Sequence, residues 1–271
     1  MAEAVNEPQR GADSSWMAWV YDNPLLILIT FVVLLILRDS MGDLRRRWFA
    51  AFANWFNKDV DVKMQELKKD VFAGLSSCES HDPELRKSGG LKILEIGVGT
   101  GTNFEFYPEG TKLTVVDPNP HFKQYYNENR KKFPNIQSEE IIVSTGEEMY
   151  MVPSNSVDVV VVTLVFCSVT NAQKVLKQIL RVLVPGGKFY FFEHIAEFDT
   201  ARHSLRKRIQ SLLTNCGLWP FLFDNCHLTR DFLDELRASG FSTLKAERFH
   251  NHITHPIFQL IQPCLKGVAE K

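Results

Sequence analysis

The sequence has no surplus of charge of either sign: 31 Lys and Arg stand against 32 Asp and Glu, a formal net charge of −1 over 271 residues. A dedicated nucleic-acid binder carries a strong basic excess, so no nucleic-acid partner is expected. Cysteine is scarce and unpaired. Cys78, Cys167, Cys216, Cys226 and Cys264 are odd in number and share no regular spacing, which argues against a disulfide scaffold and for a reducing compartment. No Cys-x-x-Cys pair occurs, and His250, His252 and His255 follow no compact zinc spacing. No metal is therefore expected, and these histidines read as surface or loop positions. Internal repeats and low-complexity tracts are missing as well. At 45% hydrophobic and 23% charged, the chain is globular in composition and long enough to bury a full core.

Long apolar runs are absent, with one exception. Residues 25–37 contain Thr30 as their single polar interruption, opened by Pro24 and closed by Arg38-Asp39. As a helix this run covers about 20 Å, short of the roughly 30 Å hydrocarbon core of a bilayer. Including Trp16 to Tyr21 reaches spanning length but puts Asp22, Asn23 and Pro24 inside the helix. A spanning helix and a one-leaflet anchor both stay open. A cleaved signal peptide fits poorly, because the preceding tail carries Glu3, Glu7 and Asp13 against Arg10, and no small-residue cleavage site follows.

A run this short is often a buried core helix. Here Arg45-Arg46-Arg47 follow it, and Leu44, Trp48, Phe49, Phe52, Trp55 and Phe56 recur at helical spacing. That basic and aromatic stripe suits an anionic membrane interface. The reading is a polar tail over 1–23 and a membrane anchor with interfacial helix over 24–57. The basic residues place the remainder in the cytosol.

Val60, Met64, Leu67 and Val71 predict a short amphipathic helix, and the Ser-, Gly- and charge-rich stretch 76–90 reads as a linker. Residues 58–90 thus connect the anchor to a domain over 91–271. From Leu91 apolar runs alternate with amphipathic stretches. Strands are predicted at Lys92–Ile96, Lys112–Val116, 140–143, 157–164 and 188–192, with helices at 121–133 and 172–183. That order predicts an α/β domain with a doubly wound, mostly parallel sheet. The valines at 159–162 suit a central strand buried on both faces.

The first strand runs into Gly97-Val98-Gly99-Thr100-Gly101-Thr102-Asn103. Glycines let the backbone approach a ligand, and a following helix start offers unpaired amides to it. A dinucleotide fingerprint would need Gly or Ala where Thr102 stands, so a nicotinamide site fails at that position. Asp117 ends the second strand, before Pro118-Asn119-Pro120. A carboxylate there can accept both hydroxyls of a ribose, although a turn or cap aspartate has the same setting. Loop and carboxylate together point to a nucleoside.

In order along the chain, Glu95-x-Gly97-x-Gly99-x-Gly101, Asp117, Thr145-Gly146-Glu147, Val157-Asp158 and Leu183-Val184-Pro185-Gly186-Gly187 resemble the motifs of S-adenosylmethionine-dependent class I methyltransferases. The resemblance covers about residues 90 to 195. Gly99-Thr100-Gly101-x-Asn103-Phe104, Phe106-Tyr107-Pro108, Asp117-Pro118-Asn119-Pro120, Cys167-Ser168-Val169 and Glu193-His194 are similar to the membrane-anchored methyltransferase-like protein 7 group, whose members are alkyl thiol S-methyltransferases. The polar tail departs from that group, which begins apolar at once, and 250–271 matches it loosely.

The resemblance implies a Rossmann-like domain using S-adenosylmethionine (SAM) at an endoplasmic reticulum or lipid-droplet membrane. It places Gly97, Gly99 and Gly101, with Asn103, beneath the methionine part of the cofactor, and Glu95 supporting that loop. Asp117, with Pro118 and Asn119, would hold the ribose, and Thr145, Gly146 and Glu147 would edge the adenine. Leu164, Val165 and Cys167 would lie beside the transferring methyl. Pro185-Gly186-Gly187 reads as the turn into the fifth strand.

A sulfonium donor is already activated, so the protein mainly aligns the acceptor and excludes water. A thiol, with an ordinary pKa of about 8.5, needs modest help. Candidate bases are Glu193 and His194 at the end of the fifth strand, and Asp224 or His227 later. Strand ends line the crevice of such sheets, which favours His194; a structural hydrogen bond is the alternative. In the insertion 196–232, Leu218, Trp219, Phe221, Leu222 and Phe223 either roof a greasy pocket or belong to the core. Arg202, Arg206, Lys207 and Arg208 form a solvated face or a second lipid contact.

The expected function is methyl transfer to a small lipophilic acceptor, an alkyl thiol first, at the cytosolic face of a membrane. Alternatives are a small-molecule O- or N-methyltransferase, or a membrane-surface interaction protein with a vestigial methyltransferase fold.

Overall fold

The computed structural model describes residues 23–59, 61–252 and 256–271. Trp16 to Tyr21, nearly all of the 1–23 tail, Val60 and His255 lie outside the described residues. Two compact units are present, Met1–Leu44 and Arg45–Lys271. Helix α1 (Pro24–Asp59) opens on proline, whose fixed φ and missing N–H suit the first helical position. In the first unit its side chains Leu25, Ile29, Met41 and Leu44 are exposed. Among the described residues no helix is long and apolar enough to cross a membrane.

In the second unit α1 is followed by α2 (Asp61–Phe72), where the 3.6-residue spacing predicted a helix. The stretch read as a linker is folded instead: a 3-10 turn, Ala73–Ser77, precedes helix α3 (Pro83–Ser88). Asp82 caps α3 by accepting from the Glu84 N–H at 3.0 Å, and Gly89 ends it at φ +75°. Composition alone could not separate a capped helix of this length from a linker.

The sheet comprises β1 (Lys92–Ile96), β2 (Lys112–Val116), β3 (Gln137–Ser138), β4 (Val157–Thr163), β5 (Leu183–His194), β6 (Thr243–His250) and β7 (Pro263–Glu270). Their order is β3-β2-β1-β4-β5-β7-β6. All neighbours run parallel except β7, which is antiparallel to β5 and β6. Crossovers include α4 (Lys123–Arg130) and α5 (Ala172–Val182). Asn171 caps α5, which buries Val175, Leu176, Ile179 and Val182.

Strand alternation divides the core into two layers. Leu94, Ile96, Val160 and Val162 face one layer. Ile93, Val159 and Val161 face the other, together with Ala50, Phe72 and Leu75 from the amino-terminal helices. At the amino-terminal end of β4, Asp158 is buried and accepts from Ser80 Oγ (2.6 Å), the His81 N–H (2.7 Å) and the Lys92 N–H (2.8 Å). It ties the segment before the domain to the sheet.

Three predicted boundaries change. The strand at 140–143 reduces to one bridge between Val116 and Ile142, while the paired edge strand is β3. This is the outer edge of the sheet, where short and charged segments leave the ladder. The helix at 121–133 begins as a 3-10 turn, Pro120–Phe122, capped by Asn119, and continues as α4. Finally, Pro185-Gly186-Gly187 is not a turn into β5 but an irregularity within it: the register shifts between Val157 and Val159 opposite it, and Gly186 takes φ +76°.

Candidate active site

A cleft of ≈ 270 Å³ opens at the carboxyl ends of β1, β2, β4 and β5, where strand order reverses between β1 and β4. Its floor is the glycine loop. Gly97 and Gly99 take φ +70° and +52°, and a Cβ at Gly97 would fall 2.2 Å from Val165 Cγ2. Gly101 at φ +76° makes room for Phe104 but lies outside the lining. Beneath the loop, buried Glu95 accepts from Asn103 Nδ2 (2.7 Å) and the Tyr107 hydroxyl (2.7 Å). Burial holds its carboxyl up at about 7 despite those two hydrogen bonds.

At the tip of β2, Asp117 Oδ2 accepts from the Gly99 N–H (2.9 Å) and Oδ1 from the Asn119 N–H (2.8 Å). Burial raises this carboxyl to about 7 as well, against those two amides, with Asp224 adding repulsion. Asn119 does not line the cleft; its Nδ2 donates to Asp224 Oδ2 and the Arg46 carbonyl, both at 3.1 Å, and so positions Asp224 there. Pro118, Leu164, Val165 and Cys167 all line the cleft. Leu164 adopts φ +57°, an unusual conformation for a branched residue. The Val165 N–H donates to Glu193 Oε1 at 2.8 Å.

Thr145, Gly146 and Glu147 do not reach the cleft. Gly146 packs close to Ile96 and Val175, and Glu147 Oε1 accepts from the Thr170 and Asn171 amides at the start of α5. Of the candidate bases, His194 and Asp224 line the cleft, whereas Glu193 and His227 do not. Glu193 is wholly buried behind the wall, and burial followed by Cys167 raises it to about 8. Trp219 and Phe223 form part of the wall, while Leu218 and Phe221 are exposed, so the apolar cluster of the insertion is divided between roof and surface.

The stripe on α1 divides in the same way. Phe49, Phe52 and Phe56 face the cleft, and Trp48 and Trp55 face outward. Asn57 Nδ2 donates to Thr100 Oγ1 (2.8 Å), and Lys68 Nζ on α2 donates to Thr102 Oγ1 (2.6 Å). Asn57, Lys68 and the three phenylalanines are site residues that sequence reasoning missed. The stripe's spacing gave the helix, but nothing in it says which side meets a distant glycine loop.

The cleft fits SAM. Asp117 retains lone pairs for ribose hydroxyls beside a loop cleared of side chains. Asn103 Oδ1 is buried without a hydrogen-bond partner, which suits the cofactor's ammonium, and the buried Lys68 suits its carboxylate. Glu95 and Asp117 supply negative charge for a sulfonium cation.

A parallel sheet with an antiparallel seventh strand and this nucleoside cleft define a SAM-dependent class I methyltransferase. A family model described as a methyltransferase domain matches residues 94–191. A Haloferax volcanii methyltransferase solved with its Trm112 activator superposes with TM-score 0.58 at 16% identity, covering 82% of this chain and 96% of that one. A SAM-dependent methyltransferase from Thermotoga maritima gives 0.54 at 16% identity, over 84% and 99%; both likenesses speak for the fold alone. Thiol S-methyltransferase TMT1A of Homo sapiens is 38% identical over 228 residues, 83% of this chain and 87% of that protein. TMT1B of Mus musculus is 35% identical over 224 residues, 82% and 87%. The chain belongs to this thiol S-methyltransferase family, and SAM is its cofactor.

Proposed function

We propose that this enzyme methylates a small lipophilic thiol at a membrane surface, with its catalytic domain in the cytosol. The observation that carries the acceptor is the composition of the cleft. Beyond the polar end built by Glu95, Asp117 and Lys68, its walls are Phe52, Phe56, Trp219, Phe223 and Phe258, and its inner end is Cys167, His194 and Cys226. An alkyl chain would lie among the aromatics with its sulfur against that inner wall. The kinship with thiol S-methyltransferases supports the same acceptor.

When bound, SAM supplies an electrophilic methyl on a cationic sulfur. The chain's own work is to place the acceptor and exclude water. His194 is the catalytic residue in this reading: it ends β5 and lines the cleft where the acceptor sulfur would lie. Glu193 anchors the backbone of Val165 behind it.

Membrane attachment is supported by the apolar run 25–37, the arginines at 45–47 and the outward Trp48 and Trp55. The test is an acceptor panel with labelled methyl donor. Alkyl thiols should be methylated at least about tenfold faster than matched alcohols and amines, since the thiolate is the better nucleophile near neutral pH. Equal rates, or activity confined to amines, would discard the thiol. His194→Ala should lose most turnover and keep SAM binding.

A further inference from the structure

We infer that Cys167, His194 and Cys226 form a binding site for one zinc ion, open to the cleft, at which the acceptor thiol is held during methyl transfer. The substrate part of this inference rests on the thiol reading above; the metal site itself does not.

Cys167 follows β4, His194 ends β5, and Cys226 lies in the insertion after the short helix Leu218–Leu222. The fold brings one ligand atom from each within 4.8 Å of the other two, and all three residues are buried yet line the cleft. His194 Nε2 stands 3.1 Å from Cys226 Sγ. Ligand atoms on a tetrahedral zinc sit roughly 3.5–3.8 Å apart, given Zn–S of about 2.3 Å and Zn–N of about 2.0 Å. Seating the ion therefore requires the His194–Cys226 pair to open by about 0.4 Å.

Two further features fit a metal better than packing. The Trp219 Nε1–H donates to Cys226 Sγ at 3.3 Å, the kind of outer donor that steadies a metal-bound thiolate. Two thiolates also neutralise a dication, so the filled site places no net charge inside the protein.

Two sulfurs and one imidazole are soft to borderline donors that select zinc over magnesium or calcium. Three protein ligands leave a fourth position, and the side open to it is the cleft. An incoming thiol, R–SH, would release its proton to water on binding and occupy that position as R–S⁻. Its sulfur then forms the bond to the donor methyl carbon, and the carbon–sulfonium bond breaks with its electron pair passing to the donor sulfur. The products are R–S–CH₃ and the neutral thioether of the spent cofactor, with the metal unchanged. Cys167 and Cys226 are 59 positions apart in sequence, which is why no motif announces the site.

The test begins with metal analysis of the full-length protein, purified in detergent under reducing conditions. About one zinc per chain is expected, falling at least tenfold in Cys226→Ser and in Cys167→Ser, with folding of each variant checked by far-ultraviolet circular dichroism. Replacement by cobalt should give near-ultraviolet sulfur-to-cobalt absorption that shifts when an alkyl thiol is added and not when the matched alcohol is added. The metal site is overturned if the folded wild-type protein binds neither ion, or if metal content is unchanged in both variants. Thiol methylation that persists in metal-free protein overturns the metal's role and leaves the thiol reading standing. Zinc bound with thiols left unmethylated removes the thiol reading and leaves the site.

Discussion

Asp117 serves two opposing demands, because the same burial that aims it into the cleft raises its carboxyl to about 7. Ribose hydroxyls donate to the ionised form, so SAM binding should expel a proton below neutrality. Affinity should fall about tenfold for each pH unit below 7 and level off above 8. Calorimetry in buffers of different ionisation heat counts that proton, and a pH-independent heat would contradict the assignment. Asp117→Ala should weaken binding by roughly 10²–10⁴-fold, since two hydrogen bonds to a charged acceptor are worth roughly 1.5–3 kcal/mol each. The sign for stability is the reverse of a salt-bridged carboxylate. The folded-state value lies above the ordinary 3.8, so the stability this group contributes is present at low pH and lost as pH rises towards 7; Asp117→Asn should flatten that part of the Tm–pH curve. At Gly97, alanine meets both a left-handed backbone and Val165 Cγ2 at 2.2 Å. Gly97→Ala should lower stability by about 1–2 kcal/mol and abolish SAM binding. A stable variant with normal affinity would show the loop to be more compliant than its geometry implies.

At the scale of elements, α1 is a helix with two occupations. Its phenylalanines close the cleft while its tryptophans stay outside, and Asn57 and Lys68 fasten α1 and α2 to the glycine loop. The helices before the domain therefore belong to the active site. Their fastening at the opposite end of the sheet is Asp158, which satisfies three donors on Ser80, His81 and Lys92. Asp158→Ala strands those donors and should cost on the order of 3 kcal/mol, read from the urea midpoint. An unchanged midpoint would mean that water replaces the carboxylate without loss.

For the whole molecule, the apolar run, the basic triplet and the outward tryptophans predict partition onto anionic vesicles. Replacing Arg45, Arg46 and Arg47 by Gln should weaken that partition by about 1 kcal/mol per residue, and added salt should do the same. Co-sedimentation measures it, and equal partition of wild type and variant would remove the arginines from the interface. The alternation of apolar runs and amphipathic helices, the glycine loop and Asp117 were legible in the sequence because each is a local requirement: strand period, left-handed backbone, a carboxylate at a strand tip. The ordered motifs then carried the class and its cofactor. What local pattern leaves open is which surfaces meet. Phe52 and Trp55 look alike in a helical stripe, yet one lines the cleft and the other faces outward. Thr145 to Glu147 stand in the right order but do not line the cleft. Among the candidate bases the sequence favoured His194 from its place at a strand end, and His194 lines the cleft whereas His227 does not. By itself the sequence determined the central parallel strands, the nucleoside loop and the chemistry of the donor. The tertiary structure alone decided which side chains wall the far end of the cleft, because Cys167, His194 and Cys226 lie on three separate segments and become neighbours only when the insertion folds over the ends of β4 and β5.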